Sequence, residues 1–284
     1  MRAERPSRTA EHVAALRGLG TFLPSPARLI DDPWGAEWTR HRRLRQLAET
    51  RPFLAQWLSR PAWRWLLYMQ VRTFALDQEI VRFAQSGGDQ LVLLGAGLDA
   101  RALRLRKLGL RVFEVDHPAT QAQKRTFVED CATLLAWDFE RDSLKLLPAR
   151  LAEIGYQPGQ RGCVVWEGVS VYLSESVVEE TFAMLRELLA NGSVLAFTYF
   201  SLDGLRAMSL SERLIRHVVA RAGEPWRFGW EPSSLLSWLS ARGFALEHDD
   251  TTATLAARCL PKEFAAKLRR DQRRIALATR CRPE

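Results

Sequence analysis

The run Leu91-Val92-Leu93-Leu94-Gly95-Ala96-Gly97-Leu98-Asp99-Ala100-Arg101 constrains the fold more than any other part of the chain. Four apolar residues after Gln90 are too few for a helix and match a strand covered on both faces. Gly95 and Gly97 then permit a tight turn and let a ligand approach bare backbone before a helix begins. A strand, a glycine turn and a helix in that order place a nucleotide-type cofactor at the carboxyl end of the strand.

Residues 1–85 carry no strand pattern. Pro24, Pro26, Pro52 and Pro61 divide them into candidate helices Ala10–Leu19, Asp32–Leu47, Phe53–Leu58 and Ala62–Phe83. From Gln90 onward, short apolar runs alternate with helical stretches. The candidate strands are Leu91–Leu94, Val112–Asp116, Thr133–Asp138, Cys163–Glu167 and Val194–Tyr199. That alternation predicts an α/β fold with a doubly wound, mostly parallel sheet. Helices are expected at Leu205–Ala222 and Pro232–Arg242, followed by strands Phe244–Asp250 and Thr252–Cys259. So short a connection between the last two permits only an antiparallel hairpin, which closes a seven-stranded sheet. The tail Pro261–Arg282 is expected to form a basic amphipathic helix with Phe264, Leu268, Ile275 and Leu277 on its apolar side. The organisation is therefore a helical N-terminal lid at 1–85, a cofactor-binding core at 86–261 with a lid insertion at 201–230, and a C-terminal basic helix at 262–284.

With 284 residues, 47% hydrophobic and 26% charged, the chain is an ordinary globular one. No apolar stretch approaches the roughly 18–20 residues that span a bilayer, and the Arg-rich start lacks a secretory apolar region. A cytoplasmic protein with no membrane partner is expected. Cys131, Cys163, Cys259 and Cys281 are scattered, with no CxxC pair and no histidine at metal-ligand spacing, so free thiols and no metal are expected. The net charge of +8 comes from arginines spread over the chain, denser only at Arg40–Arg45 and Lys267–Arg274. Without a nucleic-acid motif it describes a solvated basic surface, not a nucleic-acid partner.

Gly95-Ala96-Gly97-Leu98-Asp99-Ala100 fits a GxGxxA fingerprint, and Asp116 follows about 20 residues later, where an acid meets ribose hydroxyls. The motif alone does not choose between a nicotinamide cofactor and S-adenosylmethionine, since both carry that ribose. Glu114 shares the face of Asp116 by strand period but lies deeper, which suits a structural role. Asp138 and Phe139 end the third strand where an adenine would lie, although a turn or cap aspartate has the same spacing. Glu167 ends the fourth strand beside the glycine loop, where a carboxylate could hold a cationic amino group.

Seven segments carry a further signal: Thr9-Ala10 through Ala15-Leu16-Arg17, Leu29-Ile30-Asp31-Asp32-Pro33-Trp34, Val71-Arg72-Thr73 with Asp77, Leu94 to Arg101, Phe113-Glu114-Val115-Asp116-His117-Pro118, Trp166-Glu167-Gly168-Val169-Ser170-Val171-Tyr172-Leu173, and Gly223-Glu224-Pro225-Trp226-Arg227-Phe228-Gly229. In this order, from residue 9 to about 250, the chain resembles the bacterial branch of the leucine carboxyl methyltransferase family, which includes polyketide O-methyltransferases. The resemblance implies S-adenosylmethionine as cofactor and a class I methyltransferase, Rossmann-like sheet. It assigns Arg72 to the methionine carboxylate and Gly95 and Gly97 to the methionine and ribose. Asp116 falls to the ribose hydroxyls, Asp138 with Phe139 to the adenine, and Glu167 to the methionine amino end. A guanidinium suits a carboxylate because the two pair bidentately. The chain departs from the family at Ala100, where Thr is common.

A small-molecule acceptor with a carboxyl or hydroxyl group is expected. A carboxylate needs no general base, being ionised at pH 7. For a hydroxyl the base candidates are His117, which better suits the turn before Pro118, and His217 in the expected lid helix, which better suits a surface position. Tyr172 is a candidate for orienting the acceptor oxygen. Trp226, Phe228 and Trp230 would roof an apolar acceptor site or simply fill core. Two other functions fit the glycine loop: an NAD(P)-dependent oxidoreductase, and a cofactor-binding partner protein without catalysis.

Overall fold

Leu91 and Leu93 pack on one face of the central sheet and Val92 and Leu94 on the other, and all four are buried. An uninterrupted apolar run is what such a strand requires. The computed structural model describes residues 8–38, 46, 50–203 and 225–281. Its strands are β1 (Gln90–Leu94), β2 (Arg111–Asp116), β3 (Thr133–Ala136), β4 (Cys163–Trp166), β5 (Val194–Phe200), β6 (Phe244–Thr251) and β7 (Arg273–Arg280). They form one sheet of order β3-β2-β1-β4-β5-β7-β6. β1 to β5 pair in parallel, and β7 runs antiparallel to both β5 and β6. The α/β doubly wound architecture is the one expected. Its strand order reverses between β1 and β4, which opens a crevice at their carboxyl ends.

The helices are α1 (Arg8–Gly18), α2 (Pro33–Glu37), α3 (Pro52–Ser59), α4 (Trp63–Gln85), α5 (Arg101–Arg104), α6 (Pro118–Val128), α7 (Leu147–Glu153), α8 (Glu175–Leu188), α9 (Pro232–Ser240), α10 (Thr252–Cys259) and α11 (Lys262–Ala265). α4 organises two cores. Its Leu76, Ile80 and Phe83 pack on the sheet against Leu91, Leu93 and Val165. Its Leu66, Leu67 and Val71 pack with Phe22, Leu23, Ala55, Ala256 and Phe264 from the two ends of the chain. The expected helix Leu205–Ala222, with His217, lies outside the described residues, as does most of Asp32–Leu47 beyond α2.

Two expectations are corrected. Thr252–Cys259 is the helix α10, not a strand. Thr251 caps it by accepting from the Thr254 amide at 3.0 Å, and its buried positions Thr252 and Ala256 recur every four residues, the spacing of a helix face. The tail is not a basic helix either. After α11 and one further turn it enters the sheet as β7, between β5 and β6. Ile275, Ala276 and Ala278 are buried there, and pairing on both edges overrides the helical pattern of the isolated segment. The closing pair is therefore β6 with β7, joined through α10 and α11 and not by a tight hairpin.

On the opposite face of the sheet from α4, Phe182 of α8 meets Trp166, Phe197, Trp230, Trp238 and Phe244 edge-on, with ring centroids 4.6–6.3 Å apart. Edge-to-face geometry adds to the burial of each ring. Phe182→Ala is expected to destabilise the fold by about 3–5 kcal/mol, through lost burial plus a cavity; urea unfolding followed by tryptophan fluorescence measures it.

Candidate active site at the carboxyl end of the sheet

The crevice beyond β1, β2 and β4 is a cavity of about 480 Å³, roofed by α1 and the first half of α4. The glycine turn forms one wall. β1 hands over to it through Gly95 N–H and Ala96 N–H, which both donate to Val115 O at 2.8 and 3.2 Å. Gly95 (φ +72°) and Gly97 (φ +52°) take left-handed conformations, and a Cβ on Gly95 would lie 2.4 Å from a Val169 methyl. Only glycine lets β1 turn so close to the loop after β4.

Asp116, at the end of β2, points back at this turn. Its Oδ2 accepts from Gly97 N–H at 2.6 Å, and its Oδ1 accepts from His117 N–H at 2.6 Å. Burial raises its pKa above the usual carboxylate value, against those two hydrogen bonds, which favour the charged form. Each oxygen keeps a lone pair, so the carboxylate is oriented and still able to accept. Beneath it, Glu114 and Lys124 form a buried ion pair of 2.5 Å. Burial pushes Glu114 up to about 7, the Lys124 ammonium opposing.

Behind the cavity lies a buried network of four arginines and four acids. Arg101, fully buried at the start of α5, pairs through Nε with Asp77 of α4 at 2.7 Å and through Nη1 with Asp99 and Glu167. Arg104 adds a second guanidinium on Asp77 at 2.9 Å. Arg17 of α1 joins Asp32 at 3.1 Å and donates to Leu98 O at 2.5 Å, tying the roof to the glycine turn. Arg72 of α4 lies with its Nε 2.5 Å from Glu167 Oε1. The N–H direction there makes no hydrogen bond, so both buried atoms keep theirs unused. Burial raises the Glu167 pKa, but Arg101 and Arg72 overcome it and hold the carboxyl down at about 2. Arg72 in turn is held above its ordinary value. Burial lowers its pKa, and Glu167 and the Tyr68 hydroxyl, 3.3 Å from Nη1, outweigh that.

Arg72, Gly95, Gly97, Asp116, Phe139, Glu167 and Tyr172 all line the one cavity. His117 and Asp138 are not part of its lining. His117 is buried as the N-cap of α6, its Nδ1 accepting from Ala119 N–H at 3.2 Å and its Nε2 3.7 Å from Asp138 Oδ2. That geometry is the turn role expected before Pro118, and it keeps His117 out of the cavity wall. Asp138 accepts from Glu140 N–H at 3.0 Å and shapes the turn that brings Phe139 and Glu140 into the wall. Ala100 is buried among Ala14, Trp38, Leu98 and Val128, an apolar setting in which no hydroxyl is needed.

The sequence reading missed the charge network. Its signal was an arginine two residues after an aspartate at the end of an apolar strand, but the partners Asp77 and Glu167 are distant in the chain. It also missed Arg227 and Arg273, which line the cavity together with Trp65, Tyr68, Phe200 and Trp226. Arg227 N–H donates to Val171 O at 2.7 Å, so this segment is fastened to the loop after β4. The Arg273 guanidinium lies 3.3 Å over the Tyr68 ring.

The model of the leucine carboxyl methyltransferase family matches residues 10–186. A provisionally named S-adenosyl-L-methionine-dependent methyltransferase of Parafrankia is 34% identical over 203 residues, covering 69% of this chain and 64% of that protein. The chain thus spans just under two thirds of that relative's length. A similarly named protein of Rhodococcus jostii is 29% identical over 265 residues, covering 88% of this chain and 85% of its own. Two crystal structures share the fold. A provisionally named methyltransferase of Thermobifida fusca has a TM-score of 0.59 at 18% identity, with 93% of this chain and 98% of that one covered. A DUF574 family protein of Streptomyces avermitilis has a TM-score of 0.62 at 12% identity, covering 97% and 98%.

Two outcomes follow from the network. Arg101→Leu leaves buried carboxylates with too few cations and is expected to cost about 3–5 kcal/mol of stability, read from urea unfolding. The pH dependence has a definite sign. Because folding depresses Glu167 from 4.5 to about 2, its stabilisation is complete above the ordinary carboxylate pKa and is lost as pH falls toward about 2. Scanning calorimetry across that window should show a falling melting temperature, with a shallower fall in Glu167→Gln.

Proposed function

The chain belongs to the leucine carboxyl methyltransferase family, and from that premise we propose that it is an S-adenosylmethionine-dependent O-methyltransferase acting on a carboxyl or hydroxyl group of a small, polyketide-like metabolite. The observation that carries this reading is the Arg72–Glu167 pair, two opposite charges 2.5 Å apart in the wall of the cavity that the glycine turn and Asp116 also line. An amino-acid end is itself a pair of opposite charges. Its carboxylate would take the Arg72 guanidinium and its ammonium Glu167. Asp116 would receive the ribose hydroxyls, Gly95 and Gly97 leave the backbone open beside them, and Phe139 would cover the adenine.

When bound, S-adenosylmethionine supplies a sulfonium-activated methyl group that an oxygen nucleophile takes by in-line displacement. The protein's part is then alignment and exclusion of water. Trp65, Tyr68, Met69 and Trp226 give the acceptor end an apolar wall, and Tyr172 would orient the acceptor oxygen. With His117 committed to its cap, a carboxylate acceptor is favoured over a hydroxyl because it needs no base. Arg227, which also lines the cavity, would attract it, whereas the Arg273 guanidinium is paired with Asp271. Hydride transfer is disfavoured by the antiparallel β7, which departs from the parallel continuation of dinucleotide folds.

Calorimetric titration tests the reading. S-adenosylhomocysteine is expected to bind and NAD not to; no binding of either by the folded protein would overturn the assignment. Arg72→Ala is expected to weaken S-adenosylmethionine by roughly 1.5–3 kcal/mol, the worth of hydrogen bonds to a charged group. It should leave methylthioadenosine, which lacks the amino acid, nearly unchanged, and equal losses would remove Arg72 from the carboxylate role.

A further inference from the structure

α3 presents an apolar face to solvent. Phe53 is 86% exposed and Trp57 63%, with Leu54 and Leu58 also exposed beside them. At helical spacing these four residues fall on a single stripe, while Ala55 and Ser59 turn inward. Scattered exposed apolar residues are ordinary, but four on two turns form a contiguous patch.

The surroundings of the patch are basic. The segment 51–64 contains Arg51, Arg60 and Arg64 and no acid, and Arg51 and Arg60 are exposed at the two ends of α3. Just beyond α3, Trp63 has the Phe264 ring of α11 at 5.9 Å and the Lys267 ammonium 5.5 Å over its ring. Lys262, Arg269 and Arg270, on and just after α11, are exposed, with Glu263 the acid among them. An aromatic and aliphatic face rimmed by guanidinium and ammonium groups suits a surface that is anionic outside and apolar just beneath.

We propose that α3, with the basic residues around it, is a docking surface for an anionic lipid bilayer. The charge complementarity selects that occupant. A second copy of this chain, meeting the patch through the same face, would set the same basic rim against it, and like charges across an interface disfavour that occupant. Leu54 and Leu58 have no ring to stack on a base, which sets single-stranded nucleic acid aside. No described helix is long and apolar enough to cross a membrane, and a helix lying in the interface needs no such span. The sequence expectation of no membrane partner rested on the absence of a spanning stretch and of a secretory apolar region, neither of which bears on a helix lying in the interface. Two residues beyond Arg60 the chain reaches Ala62 and then Trp65, both in the cavity lining, so docking would set this part of the cavity wall close to the bilayer.

The experiment is cosedimentation of the full chain with vesicles of phosphatidylcholine alone and of phosphatidylcholine with phosphatidylglycerol. Binding to the anionic vesicles, weaker on the neutral ones and reduced by salt, is expected. The double variant Phe53→Ser with Trp57→Ser should bind at least about tenfold more weakly, since interfacial binding scales with buried apolar area, with its thermal transition retained. Should that variant unfold, Arg51→Glu with Arg60→Glu is expected to lose the anionic preference. Absence of sedimentation with anionic vesicles, or full binding by folded variants, would overturn the proposal. So would a dimer in light scattering that the double variant dissolves, since it would make the occupant a second copy. Vesicle binding and S-adenosylhomocysteine binding are separate readouts, so either reading can fail while the other stands.

Discussion

A guanidinium removed from water is stable only where carboxylates replace its hydration, and Arg101 meets that condition with three of them from three parts of the fold. Asp77 comes from the middle of α4, Asp99 from the glycine turn and Glu167 from the end of β4. Arg104 shares Asp77, Arg17 shares Asp32 with it, and Arg72 shares Glu167. Across the eight groups the formal charge cancels. Hydrophobic contact alone would let α4 slide or rotate on the sheet, since packing is not directional. Charge pairs at hydrogen-bonding distance fix its register, because any displacement leaves a buried ion unpaired.

The cavity inherits its order from that network. Arg101 fixes Glu167 from behind, so the carboxylate faces Arg72 with its other oxygen, and the two stand in the wall as a preformed pair of opposite charges. Asp116 is set by a separate device, two backbone N–H groups that hold its carboxylate against the glycine turn. The two arrangements meet at the turn itself, where Asp99 belongs to the network and Gly97 to Asp116.

The far side of the molecule depends on β7. By entering between β5 and β6 it makes the end of the chain part of the central sheet, and it carries Arg273 to the cavity. The crossover α10–α11 then packs with the N-terminal segments on α4, so both ends of the chain share one apolar cluster. α3 belongs to this cluster through Ala55 and leaves its outer face in solvent.

The sequence by itself determined β1, its glycine turn, the alternation of β1 to β5 with helices, and the positions Arg72, Gly95, Gly97, Asp116, Phe139 and Glu167 that line the cavity. These features are local. A buried parallel strand needs an apolar run, a left-handed turn needs glycine, and a ribose-facing acid sits one strand further on. Arg72 was the exception, legible only through the family resemblance, because a lone arginine in a helix has no local signature. Tertiary structure alone decided that residues 252–259 are helical and 273–280 extended, since both segments are apolar enough for either state and only the unfilled slot between β5 and β6 selects one. It also decided that His117 caps a helix, that Asp138 shapes a turn, and that Arg101 gathers Asp77, Asp99 and Glu167. Distance along the chain hides such partners, and the cost of burying a charge unpaired brings them together.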